Sequence, residues 1–262
     1  MAGPSFTIQK PQATPAKDGS VTTGKDLSAS LFVIDLTDDD AKFHPKWAQM
    51  GIPRTWVYSK QDGDPFKPTL KTVEPGSHDF DNCLNFFRQS VRIPRLVIKS
   101  IQRNQNPTLF NMCDTYRKMV LRREGRNPDM FDDALERYLF HGTHCDTAKK
   151  IAASGFNRSF AGSANAAAYG VGTYFARNAS YSDSDKYTPK DKDGYKTMIL
   201  CKVTVGTFAL GTWDMRAPPA RDDGRLHDST VDYVSNPDIF VAYNDAQAYP
   251  EFIITYKNDD ST

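Results

Sequence analysis

The stretch YLFHGTHCDTAKKIAASGFNRSFAGSANAAAYGVGTYFARNASYSDSDKY, residues 138–187, holds the choices that decide the fold. Tyr138, Leu139 and Phe140 read as a strand that delivers His141 and Gly142 to its end. Asp146 is the expected cap of a helix stopped by Gly155, at a position suited to the left-handed C-terminal conformation. The following loop, NRSFAGSANAAAYGVG, is built of small residues that let backbone amides approach a ligand closely. A loop of this length in a compact domain is more often a binding loop than filler. TYFA then resumes as a strand, and ASYSDSDKY turns into a short helix carrying Ser182 and Tyr187. By residue chemistry this is a pocket for a ligand with an amide, an aromatic ring and sugar hydroxyls. His141 can donate to a hydroxyl, Gly142 can pair both its backbone groups with a carboxamide, and Tyr174 and Tyr187 can sandwich a ring. The ordinary reading stands beside it: histidines after strands and tyrosines at turns commonly serve packing.

Upstream, the compact region begins near His44, where FHPKWAQMG brings Trp47 and Met50 and TWVYS follows as an alternating strand candidate. DFDNCLNFFRQSV spaces Cys83, Leu84, Phe86 and Phe87 as a helix does, with Asp79 or Asp81 available as a cap. The strand RLVIKSIQR follows and ends at NQNP, where Asn106 and Pro107 form an N-cap and first-turn pair. They open a helix whose stripe is Leu109, Cys113, Tyr116 and Val120. Short strands dominate after Tyr138, with no regular βαβ alternation and no internal repeat. The fold class is therefore α+β with an antiparallel bias. TWDMRAPPARDDGRLHDSTVDYVSNP, residues 212–237, reads as a loop exposing Arg216, Arg221 and His227.

The bulk numbers exclude several function classes. The 262 residues are 39% apolar and 25% charged, an ordinary globular composition. Lysine plus arginine number 33 against 32 acidic residues, so no single-sign field points to nucleic acid or an anionic membrane. A monomer is expected. Cys83, Cys113, Cys145 and Cys201 form no C-x-x-C pair, which argues against a zinc ribbon or disulfide framework and for a reducing, intracellular setting, nuclear or cytoplasmic. Neither a signal peptide nor a membrane span is legible. His141, His144 and Cys145 in HGTHC could be read as metal ligands. A fourth ligand of matching spacing is missing, so no metal is expected, with His144 solvated and Cys145 in the core.

Residues 1–43 lack apolar periodicity and are expected to be a disordered tail. At 31–40, Leu31, Phe32, Val33, Ile34 and Leu36 precede the acidic run Asp38–Asp40. This resembles a SUMO-interacting motif, which adds a short strand to a partner's sheet edge. The alternative is a first strand on this protein's own sheet. The compact domain is expected over 44–258, with 259–262 a second tail.

The ordered blocks L-F-H-G-T, G-F-N-R-S, Y-G-x-G-T-Y-F-A, A-S-Y-S with a following tyrosine, and Q-A-Y-P-E-F-I-I-T-Y resemble the catalytic domain of the poly(ADP-ribose) polymerase superfamily. The similarity runs from about Trp47 to Tyr256 and is nearest to its mono-ADP-ribosylating, macrodomain-associated branch. The resemblance implies a diphtheria-toxin-like ADP-ribosyltransferase fold with a split antiparallel sheet, which uses NAD as co-substrate and a protein, the chain itself included, as acceptor. It also implies site roles. His141 contacts a ribose of NAD, Gly142 holds the nicotinamide amide through its backbone, and Thr143 completes that block. Tyr174 lines the nicotinamide pocket, Ser182 binds the amide, and Tyr187 stacks on the ring. The loop from Gly162 to Gly172, with Tyr169, lies over the pyrophosphate and adenosine side. Arg158 either pairs a phosphate or is a solvated loop arginine. No autoinhibitory domain is expected, because the segment from Trp47 to Tyr138 resembles the catalytic domain's own opening.

The strand AYPEFIITYK, residues 248–257, then decides the reaction. Polymer-forming relatives carry a glutamate as the third member of a His-Tyr-Glu set, and in the mono-transferring branch an aliphatic residue falls there. The set here is His141, Tyr174 and Ile253, with Ile254 the alternative if the register slips by one. Strand alternation puts Glu251 on the face of Ile253, about 6 to 7 Å back along the chain. The rival function is a catalytically silent module of the same fold that binds NAD or SUMO.

Overall fold

The computed structural model describes residues 43–160 and 167–259. The tail with its motif at 31–40, Gly162 and residues 260–262 lie outside the described residues. In chain order the elements are α1 (Pro45–Gln49), β1 (Thr69–Thr72), α2 (His78–Ser90), β2 (Leu96–Gln105) and α3 (Pro107–Arg123). Next come β3 (Glu136–Thr143), α4 (Cys145–Ser154), β4 (Thr173–Ala176), α5 (Ala179–Ser182) and β5 (Lys196–Thr204). The chain closes with β6 (Phe208–Leu210), β7 (Ser229–Val231), β8 (Ile239–Ala242) and β9 (Ala248–Asn258).

Among the described residues, nine strands form one open sheet ordered β1-β2-β9-β5-β3-β4-β8-β7-β6. Every pairing is antiparallel except β6 with β7, which fits the expected α+β class. The sheet is split in the middle. β3 and β4 share a single aligned pair, Phe140 with Ala176, so among the described residues β3 runs on through His141 and Gly142 without a strand partner on that side.

Each sheet face carries its own apolar layer. Leu139, Ile199, Cys201, Val203, Phe240 and Ile253 share one with Ala148 and Ala152 of α4. Phe140, Leu200, Phe252, Ile254 and Tyr256 share the other with Cys83 and Phe87 of α2. Alternation along β3, β5 and β9 sends successive side chains to opposite layers. A third cluster gathers Trp47, Ile52, Trp56, Leu109, Cys113 and Tyr249.

Capping explains where the helices begin. Asn106 accepts from Leu109 N at 3.1 Å, and its amide nitrogen also donates to the Ala152 and Ala153 carbonyls at 3.0 and 2.9 Å. One side chain thereby starts α3 and satisfies the last turn of α4. Leu109, Cys113 and Val120 are buried as the stripe requires, with Tyr116 half-buried. Gly155 closes α4 with φ 81°.

Several expectations fail for local reasons. The cap of α2 is Ser77, which accepts from Phe80 N at 3.3 Å, and Asp79 and Asp81 lie inside the first turn. The cap of α4 is His144, whose Nδ1 accepts from Asp146 N at 3.2 Å. His144 is exposed as expected, but Cys145 is half-exposed at the helix start instead of sitting in the core. TWVYS is not a strand: Trp56 packs edge-on against Trp47 at 5.8 Å, and this aromatic packing outcompetes strand pairing. Residues 212–237 are not a plain loop either. They contain β7, Arg221 is ion-paired to Glu124 at 2.6 Å, and His227 is half-buried.

Candidate active site

His141 sits where β3 and β4 part. Its Nδ1 donates to the Tyr174 carbonyl at 2.9 Å, and its ring packs against Phe156 and Phe175 with centroids 5.1 and 5.7 Å away. Burial holds its pKa below the ordinary 6.5, partly offset by the bond to Tyr174. A carbonyl oxygen can only accept, so the neutral ring keeps its proton on Nδ1 and Nε2 is left as an acceptor. The free nitrogen of the neutral ring is therefore an acceptor, where a donor was expected.

Gly142 is where the chain leaves room for nothing else. A Cβ there would lie 2.1 Å from Thr188 Oγ1 and 2.6 Å from the Ser182 carbonyl oxygen. Only glycine permits this approach. Thr143, the next residue, is buried and aligned with Thr197 of β5.

The tyrosines converge on the same opening. The Tyr174 hydroxyl donates to the Gly170 carbonyl and accepts from Tyr169 N, both at 2.9 Å, which closes the loop just before β4. Burial raises its pKa, and Tyr243, Tyr169 and Tyr187 lie close enough to add to the shift. Tyr187, which follows α5 instead of riding on it, stacks on Tyr181 at 5.9 Å and 15°. The Tyr181 phenol is pushed up to about 12 by burial and by the Tyr187 hydroxyl bonded to it. Gly172 rests against the Ala242 carbonyl of β8.

One expected member, Arg158, stands apart. Arg158 spends its guanidinium on the carbonyls of Tyr243 and Arg216 and lies over the Tyr243 ring at 5.7 Å. It ties the 216 region to the end of β8, lining a cavity of about 410 Å³ with Arg123 and His227. Gly162 is outside the described residues. A larger cavity, about 690 Å³, lies behind Asp183 and Lys196. His144, Cys145 and Asp146 do bring ligand-type atoms within 4.8 Å of one another, but the His144 Nδ1 is spent on its cap and His141 is directed elsewhere.

A β-bulge decides which face of the sheet Glu251 takes. Across β3, β5 and β9 the alignment runs His141 to Ile199 to Ile253, one lateral row. Between Leu200 and Cys201 the partner on β9 jumps from Phe252 to Pro250, so Glu251 is an extra residue. A bulge puts two consecutive side chains on one face. Glu251 accordingly joins Phe252 on the opposite face from Ile253, where it bonds to Tyr138 and faces Arg103 and Lys202. This overturns the expectation that Glu251 shares the face of Ile253. Burial raises its carboxyl pKa, with Arg103 pulling the other way.

Sequence reasoning missed Thr188 and Tyr181. Thr188 is fully buried and donates to the Ser182 carbonyl at 2.6 Å. No residue pattern marks either one, since their positions depend on how the chain turns after α5.

Comparisons with known proteins identify the family. The sequence model of the poly(ADP-ribose) polymerase catalytic domain matches residues 77–220, more than half the chain. The chain is 34% identical over 213 residues to the human protein mono-ADP-ribosyltransferase PARP14, which covers 80% of the chain and 11% of that protein. It is 34% identical to the mouse protein mono-ADP-ribosyltransferase PARP10 over 72% of the chain and 19% of the relative. It is 31% identical to the human protein mono-ADP-ribosyltransferase PARP12 over 78% of the chain and 28% of the relative. The chain thus spans a minor part of each relative's length. On the matched residues and the split sheet that carries them, this chain belongs to the poly(ADP-ribose) polymerase catalytic-domain family.

Proposed function

We propose that this chain transfers single ADP-ribose units from NAD to a protein acceptor and releases nicotinamide. The observation that carries the reading is the row His141, Ile199, Ile253, in which an aliphatic side chain stands level with the histidine and the nearest glutamate of the strand points away.

NAD fits the residues present. The unpaired edge of β3 at Gly142 and the Ser182 side chain beside it suit a carboxamide, and the Tyr187 ring suits a pyridinium. His141 Nε2 accepts from a ribose hydroxyl. The bond between nicotinamide and ribose carbon breaks, its electron pair leaves with nicotinamide, and an acceptor side chain supplies the pair for the new bond. Nicotinamide leaves neutral from a cationic ring, so the residues lower the barrier chiefly by orientation. No carboxylate in the His141 row activates a second ribose hydroxyl, so the product carries one unit per acceptor site.

The same reading takes residues 44–258 as the catalytic unit, working in the nucleus or cytoplasm. Acceptors include this chain itself. Residues 31–40 offer a strand to SUMO or a SUMO-bearing protein.

Incubation of the purified chain with labelled NAD tests the reading. Discrete labelled bands are expected, with turnover in His141→Ala lower by roughly a hundredfold or more. A long-polymer smear would refute mono-transfer, and absence of both label and released nicotinamide would favour a binding module.

A further inference from the structure

We infer that Thr188 is a positioning residue for the carboxamide end of NAD, a role that rests on the pocket reading above. The Thr188 side chain is fully buried, and its Oγ1 donates to the Ser182 carbonyl at 2.6 Å. The same oxygen occupies the space beside Gly142 that a side chain would fill. Three groups therefore meet at one point: the Gly142 backbone, the Ser182 backbone and the Thr188 hydroxyl. The segment between them is closed by backbone bonds from Tyr187 N and Thr188 N to the Ser184 carbonyl, both 2.8 Å. Tyr187 is thus fixed by the same turn that Thr188 anchors.

The contact needs a hydroxyl. An O–H···O pair is comfortable at such a separation, whereas a methyl group against a carbonyl oxygen requires several tenths of an ångström more. Valine at this position keeps the size but pushes Ser182 away from Gly142 and leaves a buried carbonyl without its donor. The carboxamide would then lose the spacing between the two groups that hold it. On the pocket reading above, the adenosine diphosphate end of NAD lies away from this turn and should not sense the change.

The experiment uses the full chain as wild type, Thr188→Val and Thr188→Ser. KM and kcat for nicotinamide release from NAD are measured beside the Kd of benzamide, an aryl carboxamide, and of ADP-ribose, which lacks one. Thr188→Val is expected to raise KM for NAD and the Kd of benzamide together by roughly fivefold, one net hydrogen bond. Its kcat should stay within about twofold and its ADP-ribose affinity should be unchanged, because uniform binding affects KM alone. Thr188→Ser should restore both constants. An unchanged benzamide affinity in Thr188→Val, an equal loss for ADP-ribose, or failure of serine to rescue would overturn the inference. If the wild type binds ADP-ribose but not benzamide, the pocket reading itself falls and the inference with it.

Discussion

His141 and Ile253 stand in one lateral row of the sheet, joined through Ile199, although they are far apart in sequence. The row exists because β5 pairs with both β3 and β9, so the histidine and the isoleucine face the same apolar layer from either side of one strand. Ile253 is 3% exposed among Leu139, Phe175 and Ile199. Truncating Ile253→Ala should therefore destabilise the protein by about 2–5 kcal/mol, the usual range for a buried isoleucine. Chemical denaturation measures this directly, and a cost below about 1 kcal/mol would contradict the packing.

Glu251 should be dispensable for turnover. Its side chain lies on the far face with Tyr138 and Arg103, and its raised pKa makes its charged form a burden on the folded state. A folded pKa above the ordinary 4.5 means the contribution is fully present below 4.5 and is lost as pH rises through the folded value. Glu251→Gln does not titrate. Its melting temperature relative to wild type should therefore rise between pH 5 and pH 8, while nicotinamide release stays within about twofold. Loss of turnover in this variant would place the glutamate in the chemistry.

The pH dependence of activity should carry the His141 signature. The ring acts as a neutral acceptor, and its pKa is held below 6.5 by burial. For a depressed histidine the unfolded chain binds the proton more readily, so both stability and activity are intact above 6.5 and decline as pH falls through the lower folded value. The kcat/KM profile should stay level through pH 6.5 and drop only on its acid side. A decline beginning above pH 7 would show a ring that is not buried as described.

Tyr174→Phe should weaken NAD binding through the loop it closes. Two bonds at 2.9 Å are removed, one leaving the Tyr169 amide without its acceptor. KM should rise by roughly tenfold, with the ring itself still in place. An unchanged KM would mean that the loop holds its shape without the phenol.

Much of this was legible in local chemistry. Asn106 before Pro107, Gly155 after α4, and the alternation that sends Leu139 to one apolar layer and Tyr138 and Phe140 to the other all follow from rules acting over a few residues. The histidine, the tyrosine and the serine of the pocket were readable as types, because the L-F-H-G-T and Y-G-x-G-T-Y-F-A blocks are unusual enough to mark a family.

What lay beyond local rules was decided by contacts across the sheet. Strand alternation put Glu251 beside Ile253, yet one extra residue opposite Cys201 turned it to the other face. No pattern of two can show a bulge, since the bulge is defined by the neighbouring strand's hydrogen bonds. Arg158 read as either a phosphate partner or a solvated loop arginine until the fold brought the Tyr243 and Arg216 carbonyls to it. Thr188 was silent for the same reason. The sequence by itself determined which residues could do the chemistry, because side-chain type is local. The tertiary structure alone decided which of them face one another, because a strand's partners, and so the direction of each side chain, are set by segments distant in the chain.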